Sequence, residues 1–294
     1  MWKNLDECSF LRDLQEAQIP DLTQWMHGGG GAYRIERYSI PMPAGMHYNY
    51  AAKQVDDNIL NILGAVADEQ QIKLKYEMLL NGDEINTGEN RKVLHHLTRG
   101  QLGGDVIYNG KNMRTFYLEQ LEKIREFSEA VRSGSITTPS GKPFTDVVQI
   151  GIGGSDLGPR ALYLALKAWG ERHNKLKLRA HFISNVDPDD AVAVLSALDL
   201  STTLFILVSK SGTTLETLTN ERFVSQFLQE AGLNPAKQMV AVTSETSPLA
   251  NNPSYLASFY MDDFIGGRYS STSACGGAAL SLAFGADTFD ALLA

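Results

Sequence analysis

From Thr137 onward short β-rich runs alternate with helical stretches, and that rhythm constrains the fold more than any other feature of the chain. VVQIG (147–151) leads into a helical stretch reaching about Trp169, AHFISNV (180–186) into DPDDAVAVLSAL, and LFILVS (204–209) into a helix reaching about Glu230. MVAVTS (239–244) and FYMDD (259–263) complete the series. Strand and helix at this spacing predict βαβ units, hence an α/β fold: a doubly wound parallel sheet with flanking helices over residues 137–294. Residues 1–136 read as a mainly helical N-terminal region. One amphipathic run opens at Asp57 and continues to Leu80. A second lies around Thr115–Val131, where Phe116, Leu118, Leu121, Ile124 and Phe127 fall close to one helical face. Glu89–Leu97 reads as a short helix between them, and Gly28–Gly31 and Pro41-Met42-Pro43 as irregular chain.

Sheets of this kind bind ligands beyond the carboxyl ends of their strands, at helix N-termini. The strand ending at Val208 runs there into Ser209-Lys210-Ser211-Gly212-Thr213-Thr214, five hydrogen-bonding side chains and one glycine. Thr213-Thr214-Leu215-Glu216 fits a capping box, with Thr213 as N-cap and Glu216 three residues on. The helix start then offers free N–H groups and the positive end of its dipole to an anion. Gly212 lets the backbone approach closely, the hydroxyls of Ser209, Ser211 and Thr214 can donate, and Lys210 adds a charge. One or two hydroxyls would suffice for an ordinary capped helix. A six-residue polar run with a lysine exceeds that need and points to phosphate.

A second strand exit, VVQIGIGGSDLGP (147–159), places Gly151 and Gly153 as in a dinucleotide-binding turn, but the third glycine of G-x-G-x-x-G falls on Asp156. A carboxylate is wrong there beside a pyrophosphate. What remains is a tight turn presenting the Gly154 and Ser155 amides at another helix start. A third segment, DDFIGGRYSSTSACGG (262–277), sets two glycines before Arg268. That arginine reads either as a guanidinium delivered to developing negative charge or as a salt-bridge partner of Asp262 or Asp263. The Ser270–Ser273 cluster is placed to cap the helix of AALSLAFG. Cys275 reads as buried packing, and His95 and His96 as packing and capping residues.

Composition narrows the classes. A net charge of −8, from 26 basic and 34 acidic residues, argues against nucleic acid or an anionic membrane as partner. A local loop can still hold a small anion in an acidic protein. The two cysteines, Cys8 and Cys275, are far apart, so a disulfide framework is not expected and a reducing cytoplasm is. The N-terminus does not read as a secretory signal, and no apolar run approaches the roughly 18 residues of a membrane span. The six histidines lack metal-ligand spacing, so neither metal nor cofactor is expected.

GIGGSDLGP (151–159), SKSGTTLET (209–217) and GGRYSSTSACGG (266–277), with NRKVLHHLTRG (90–100) and SNVDPDD (184–190), occur in the order seen in the glucose-6-phosphate isomerase family, which they resemble. That family is built from paired sugar-isomerase domains. The resemblance implies that Ser209, Lys210, Ser211, Gly212, Thr213 and Thr214 hold a sugar phosphate and that Gly154 and Ser155 touch the sugar. It gives Arg268 the enediol intermediate to stabilise. It further implies glucose 6-phosphate and fructose 6-phosphate as substrates, and a homodimer at full length.

Two departures accompany it. Thr272 stands where many members carry an aromatic residue. The family's base glutamate, ring-opening histidine and a further lysine belong to a second sugar-isomerase domain and a C-terminal extension, for which residues 1–294 show no counterpart. The second domain is therefore expected to be missing and the isolated chain inactive. Glu216, a tempting base, reads as a cap. The alternative is a non-catalytic sugar-phosphate-binding regulator of the same fold, although no basic DNA-binding segment accompanies it. An amino-sugar isomerase is disfavoured by the GGR and SNVDPDD blocks.

Overall fold

The structure, a computed structural model, describes residues 3–27, 30–99 and 102–294. Two compact units divide the chain, Met1–Glu77 and Met78–Ala294. In the first, a small antiparallel hairpin (Ser39–Pro41 with His47–Asn49) follows a helix at Gly30–Arg37. Arg34, buried, donates to the carbonyls of Ala51, Lys53 and Val55 and lies 4.5 Å from the Tyr38 ring centroid. Gly30 and Gly31 are thus helical rather than irregular; Gly28 and Gly29 lie outside the described residues. The single run expected from Asp57 to Leu80 is two helices, Asp57–Glu69 and Ile72–Asn81. Gln71 between them adopts φ 52°, a left-handed conformation that a continuous helix excludes.

The second unit carries the sheet. Its strands are β1 (Asp146–Ile150), β2 (Arg179–Ile183), β3 (Thr203–Val208), β4 (Met239–Thr243) and β5 (Ala257–Tyr260), all parallel, in the order β2-β1-β3-β4-β5. Every residue of β3 is buried, as a central strand covered on both faces requires. Side chains alternate between two cores. Val147, Leu204, Ile206 and Val208 face one that includes Ile124 and Val131 of α1 (Met113–Ser133), Tyr163 of α2 (Leu157–Arg172) and the whole apolar face of α5 (Ala274–Phe284). Val148, Ile150, Phe205 and Leu207 face the other, with Ala191 and Leu195 of α3 (Pro188–Leu195) and Val224 and Leu228 of α4 (Leu215–Glu230). Burying each such aliphatic side chain contributes about 1.5–3 kcal/mol, so the strand ends sit on a stiff platform. The doubly wound parallel sheet is as expected. The helical pattern ends near residue 137, but the compact unit begins earlier because α1 packs into the sheet core.

Local signals explain most boundaries. Asn112 caps α1 by accepting from the Thr115 amide, and Gly134 ends it at φ 84°. Asp187 caps α3 with Pro188 at the first helical position, and Ser273 caps α5. Two expectations shift. The last strand is Ala257–Tyr260 rather than 259–263, because the chain turns at Asp262, whose carboxylate accepts from the Phe264 amide (2.9 Å). The helix expected over 89–97 is only a 3₁₀ turn at His95–Thr98. Asn86 and Arg91 form a bridge, and the Leu94 amide bonds the Phe264 carbonyl instead. Gly100, the end of the NRKVLHHLTRG block, lies outside the described residues.

At the far edge from the strand exits, Asp146 is 1% exposed and accepts from Arg179 (2.9 and 2.8 Å), His181 (2.9 Å) and Thr145 (2.8 Å). Burial alone would raise this carboxyl, but those hydrogen bonds outweigh it and hold the group below the usual carboxylate range. Cys8 and Cys275 are both free thiols.

Candidate active site

Strand β1 neighbours both β2 and β3, so the chain leaves it in one direction toward β2 and later returns on its other side through β3. The order reverses there, and in open α/β sheets the crevice beyond such a pair of strand ends is where ligands bind. The loops that leave these strands are Gly151–Asp156 and Ser209–Thr214, the two strand exits singled out in the sequence.

After β3, Ser209 is buried at 3% exposure, with its amide on the Val242 carbonyl and its carbonyl accepting from the Thr243 hydroxyl (2.7 Å). Gly212 has φ +65°, and a Cβ there would stand 2.0 Å from the Ser247 hydroxyl oxygen, so the turn admits only glycine. The capping box is not formed as expected. Thr213 turns its hydroxyl onto Ser211 Oγ (3.0 Å), with its amide on the same oxygen (3.2 Å). That local turn delays the helix by one residue, so Thr214 is the N-cap and Glu216 falls at the second helical position. Neither Thr213 nor Glu216 therefore caps the helix. Thr214 makes no side-chain cap either, so among the described residues the first amides of this 16-residue helix have no side-chain acceptor. Its hydroxyl lies 3.4 Å from that of Ser209.

After β1, Gly153–Ser155 form a 3₁₀ turn into α2. Gln149 donates to the Ser155 carbonyl (2.6 Å) from within the strand. Asp156 is buried and ion-paired with Arg160 (2.8 Å), which also reaches the Ser184 hydroxyl of the SNVDPDD segment. Burial raises the Asp156 carboxyl and Arg160 opposes that rise. This internal use of the aspartate agrees with its unsuitability beside a pyrophosphate.

The third segment docks on the second. A Cβ on Gly154 would stand 2.2 Å from the Gly267 backbone carbon and oxygen, so the two glycine turns touch main chain to main chain. The one hydroxyl proton of Ser270 is shared between the Gly154 carbonyl (3.1 Å) and the Gly267 carbonyl (2.8 Å). Cys275 lies beneath, fully buried, its thiol pushed up to about 11 by burial. It packs, as expected, and is no nucleophile at neutral pH. The approach to Arg268 is anchored at Asp262, whose two oxygens accept from the Tyr117 hydroxyl (2.9 Å each); burial raises the Asp262 carboxyl.

Arg268 and Lys210 line one cleft of about 560 Å³ together with Arg91, Lys92, Glu89 and Asp263. The salt bridge considered between Arg268 and Asp262 or Asp263 is absent. Asp262 takes Tyr117, Asp263 takes Lys210 (3.4 Å) and Arg91 (3.8 Å), and Arg268 has no ion pair among the described residues. Lys210 also bonds the Ile265 carbonyl (3.4 Å), so its ammonium reaches toward the 263–265 main chain. Ser209, Ser211, Thr213, Thr214, Gly154 and Ser155 sit at the strand exits without lining that cleft. His95 stacks on Tyr269, the neighbour of Arg268, at 4.7 Å, and His96 bonds the Leu80 carbonyl (3.2 Å). Burial lowers both imidazoles, which keeps them neutral packing groups rather than charged caps. Asp263 was legible in the sequence only as a partner for the arginine. Its contact with Lys210 depends on a 53-residue separation that no local pattern reports.

The family model for phosphoglucose isomerase matches residues 49–294. The glucose-6-phosphate isomerase of Treponema denticola is 63% identical over 99% of this chain and 56% of its own length, and that of Borreliella afzelii 46% identical over 96% and 53%. A crystal structure of a glucose-6-phosphate isomerase from Chlamydia trachomatis superposes with a TM-score of 0.86 at 36% identity, over 99% of this chain and 55% of that one. The chain spans about half the length of the curated relatives it matches. With the family model matching residues 49–294 and a relative 63% identical over 99% of this chain, the chain belongs to the phosphoglucose isomerase family.

Proposed function

We propose that this chain forms the phosphate-holding and charge-stabilising part of a glucose-6-phosphate isomerase, which interconverts glucose 6-phosphate and fructose 6-phosphate through an enediol. The convergence of three strand-end segments at the β1/β3 reversal, with Lys210 and Arg268 on one cleft, carries the proposal. In the reaction the sugar ring opens, a base takes the proton from the carbon beside the carbonyl, and a proton returns to the neighbouring carbon. The enediolate between the two steps bears negative charge on oxygen. Amides and hydroxyls of Ser209–Thr214 fix the phosphate, so that binding energy remote from the reacting carbons orients them. The Gly154–Ser155 turn bounds the sugar. The Arg268 guanidinium, which has no carboxylate partner among the described residues, stabilises the enediolate.

Within residues 1–294 no base is assigned, because Glu216 lies exposed on the outer first turn of α4. The relatives' greater length supports a base contributed by polypeptide beyond this span. Family membership also supports a homodimer, a cytoplasmic setting and a place in glycolysis and gluconeogenesis. Calorimetric titration with fructose 6-phosphate and with fructose tests the site. The phosphorylated sugar should bind saturably and the free sugar should not. Equal heats for both would refute a phosphate cradle.

A further inference from the structure

Lys210 is the one cation in the Ser209–Thr214 segment, yet its ammonium is already engaged. It lies 3.4 Å from Asp263 Oδ1 and 3.4 Å from the Ile265 carbonyl, in a cleft that Arg268 also lines. The same carboxylate oxygen is approached by Arg91 Nη1 at 3.8 Å. Its neighbour Asp262 is pinned by Tyr117 and by the Phe264 amide, which sets the backbone from which Asp263 projects. Asp263 itself is largely exposed, its side chain 64% accessible, so nothing in the core requires a carboxylate at this position.

We propose that Asp263 is a positioning residue that acts through Lys210: a resident counter-ion that holds the ammonium at the 263–265 segment and competes with an incoming anion for it. The inference rests on the reading of the cleft as a sugar-phosphate site. A phosphorylated sugar entering beside Lys210 must share or displace the Asp263 contact, and Arg91 supplies the carboxylate with an alternative partner when that happens. The device lowers affinity for anions in general. It favours ligands that can engage Lys210 and Arg268 at once over ligands that carry a phosphate alone. Exposed ion pairs are weak, so the competition is worth a small factor rather than an on–off switch.

The test is a double-mutant cycle in the chain as it stands. Fructose 6-phosphate is titrated into the wild-type protein, Asp263→Asn, Lys210→Met and the double variant. Asp263→Asn should bind roughly two- to fivefold more tightly, as expected for release of one exposed pair. In the Lys210→Met background the same change should alter affinity less than about twofold, because the cycle isolates the pairwise contribution. An equal gain in both backgrounds would mean that Asp263 merely adds negative potential, and no gain would mean that it does not compete; either overturns the proposal. If the Lys210→Met proteins bind too weakly to titrate, peptide-mapped reductive methylation decides. Lys210 should react faster in Asp263→Asn than in wild type, and equal rates would overturn it. Absence of fructose 6-phosphate binding to the wild-type protein would instead overturn the reading of the site, and the methylation rates would still judge the Lys210–Asp263 contact.

Discussion

Replacing Gly154 by alanine should dislodge the arginine segment from the strand-exit turn. The added Cβ would meet the Gly267 backbone carbon and oxygen at 2.2 Å and its Cα at 2.7 Å, where ordinary contact needs more than 3.4 Å. The obstacle is main chain, so no rotamer change relieves it. Either the Gly151–Asp156 turn or the Gly266–Arg268 segment has to move by an ångström or more. That movement also breaks the hydrogen bond that Ser270 donates to the Gly154 carbonyl. Overpacking of this kind costs about 1–3 kcal/mol and the lost hydrogen bond about 0.5–1.5 kcal/mol, together about 1.5–4.5 kcal/mol. At about 2–4 °C per kcal/mol for a unit of this size, Gly154→Ala should lower Tm by roughly 3–18 °C. Gly104→Ala is the control, because a Cβ there meets nothing within 4 Å. Its effect should stay within about 0.5 kcal/mol. Thermal unfolding followed by circular dichroism measures both, and hydrogen exchange of the 262–270 amides reports whether the arginine segment has come loose. Equal Tm values and unchanged exchange in Gly154→Ala would refute the close docking of the two glycine turns.

Within the cradle, Lys210→Ala and Ser211→Asp should weaken fructose 6-phosphate binding by roughly ten- to a hundredfold with the fold retained, Ser211→Asp more so because it opposes a carboxylate to a dianion; calorimetry reads both. In the active enzyme, Arg268→Lys should lower kcat more than it raises KM, since the guanidinium acts on charge that develops only along the reaction; steady-state kinetics with normal kcat would return Arg268 to a passive role. At the opposite end of the sheet, Asp146 is depressed in the folded state, so its contribution is present above the unfolded carboxylate value, about 3.9, and is lost as pH falls through the lower folded value. Asp146→Asn should therefore destabilise the protein at pH 7 and flatten the loss of stability below about pH 4, as followed by denaturant titrations at each pH. Chain 1–294 alone should show neither isomerase turnover in a coupled assay nor solvent deuterium exchange into substrate.

The sheet was legible because burial on both faces forces near-continuous apolar runs, and LFILV is one in which all five side chains are buried. Strand exits followed from the same runs, since the polar clusters begin where the apolar residues stop. Errors arose where a few residues have two local solutions. Thr213 can cap a helix or bond Ser211, and the second solution moved the helix start to Leu215 and took Glu216 out of the cap. Tyr260-Met261-Asp262 can extend a strand or turn, and the bond of Asp262 to the Phe264 amide selects the turn. The glutamine pair at 70–71 carries no helix breaker, so the interruption at Gln71 left no trace in the pattern. Contacts that join distant segments, such as Gly154 with Gly267 and Lys210 with Asp263, come from sheet topology, which a linear pattern does not encode.

The central claim is that the amides at the β1 and β3 exits bind a sugar phosphate, and the backbone amide spectrum of the isotopically labelled chain tests it most directly. Addition of fructose 6-phosphate should shift the Ser209–Thr214 amides together with those of Gly154 and Ser155, saturably and with one dissociation constant. Inorganic phosphate should shift the Ser209–Thr214 amides while leaving Gly154 and Ser155 nearly unmoved, because only the sugar reaches the second turn. A spectrum in which these amides stay fixed while others respond, or in which none responds up to millimolar ligand, would contradict the account.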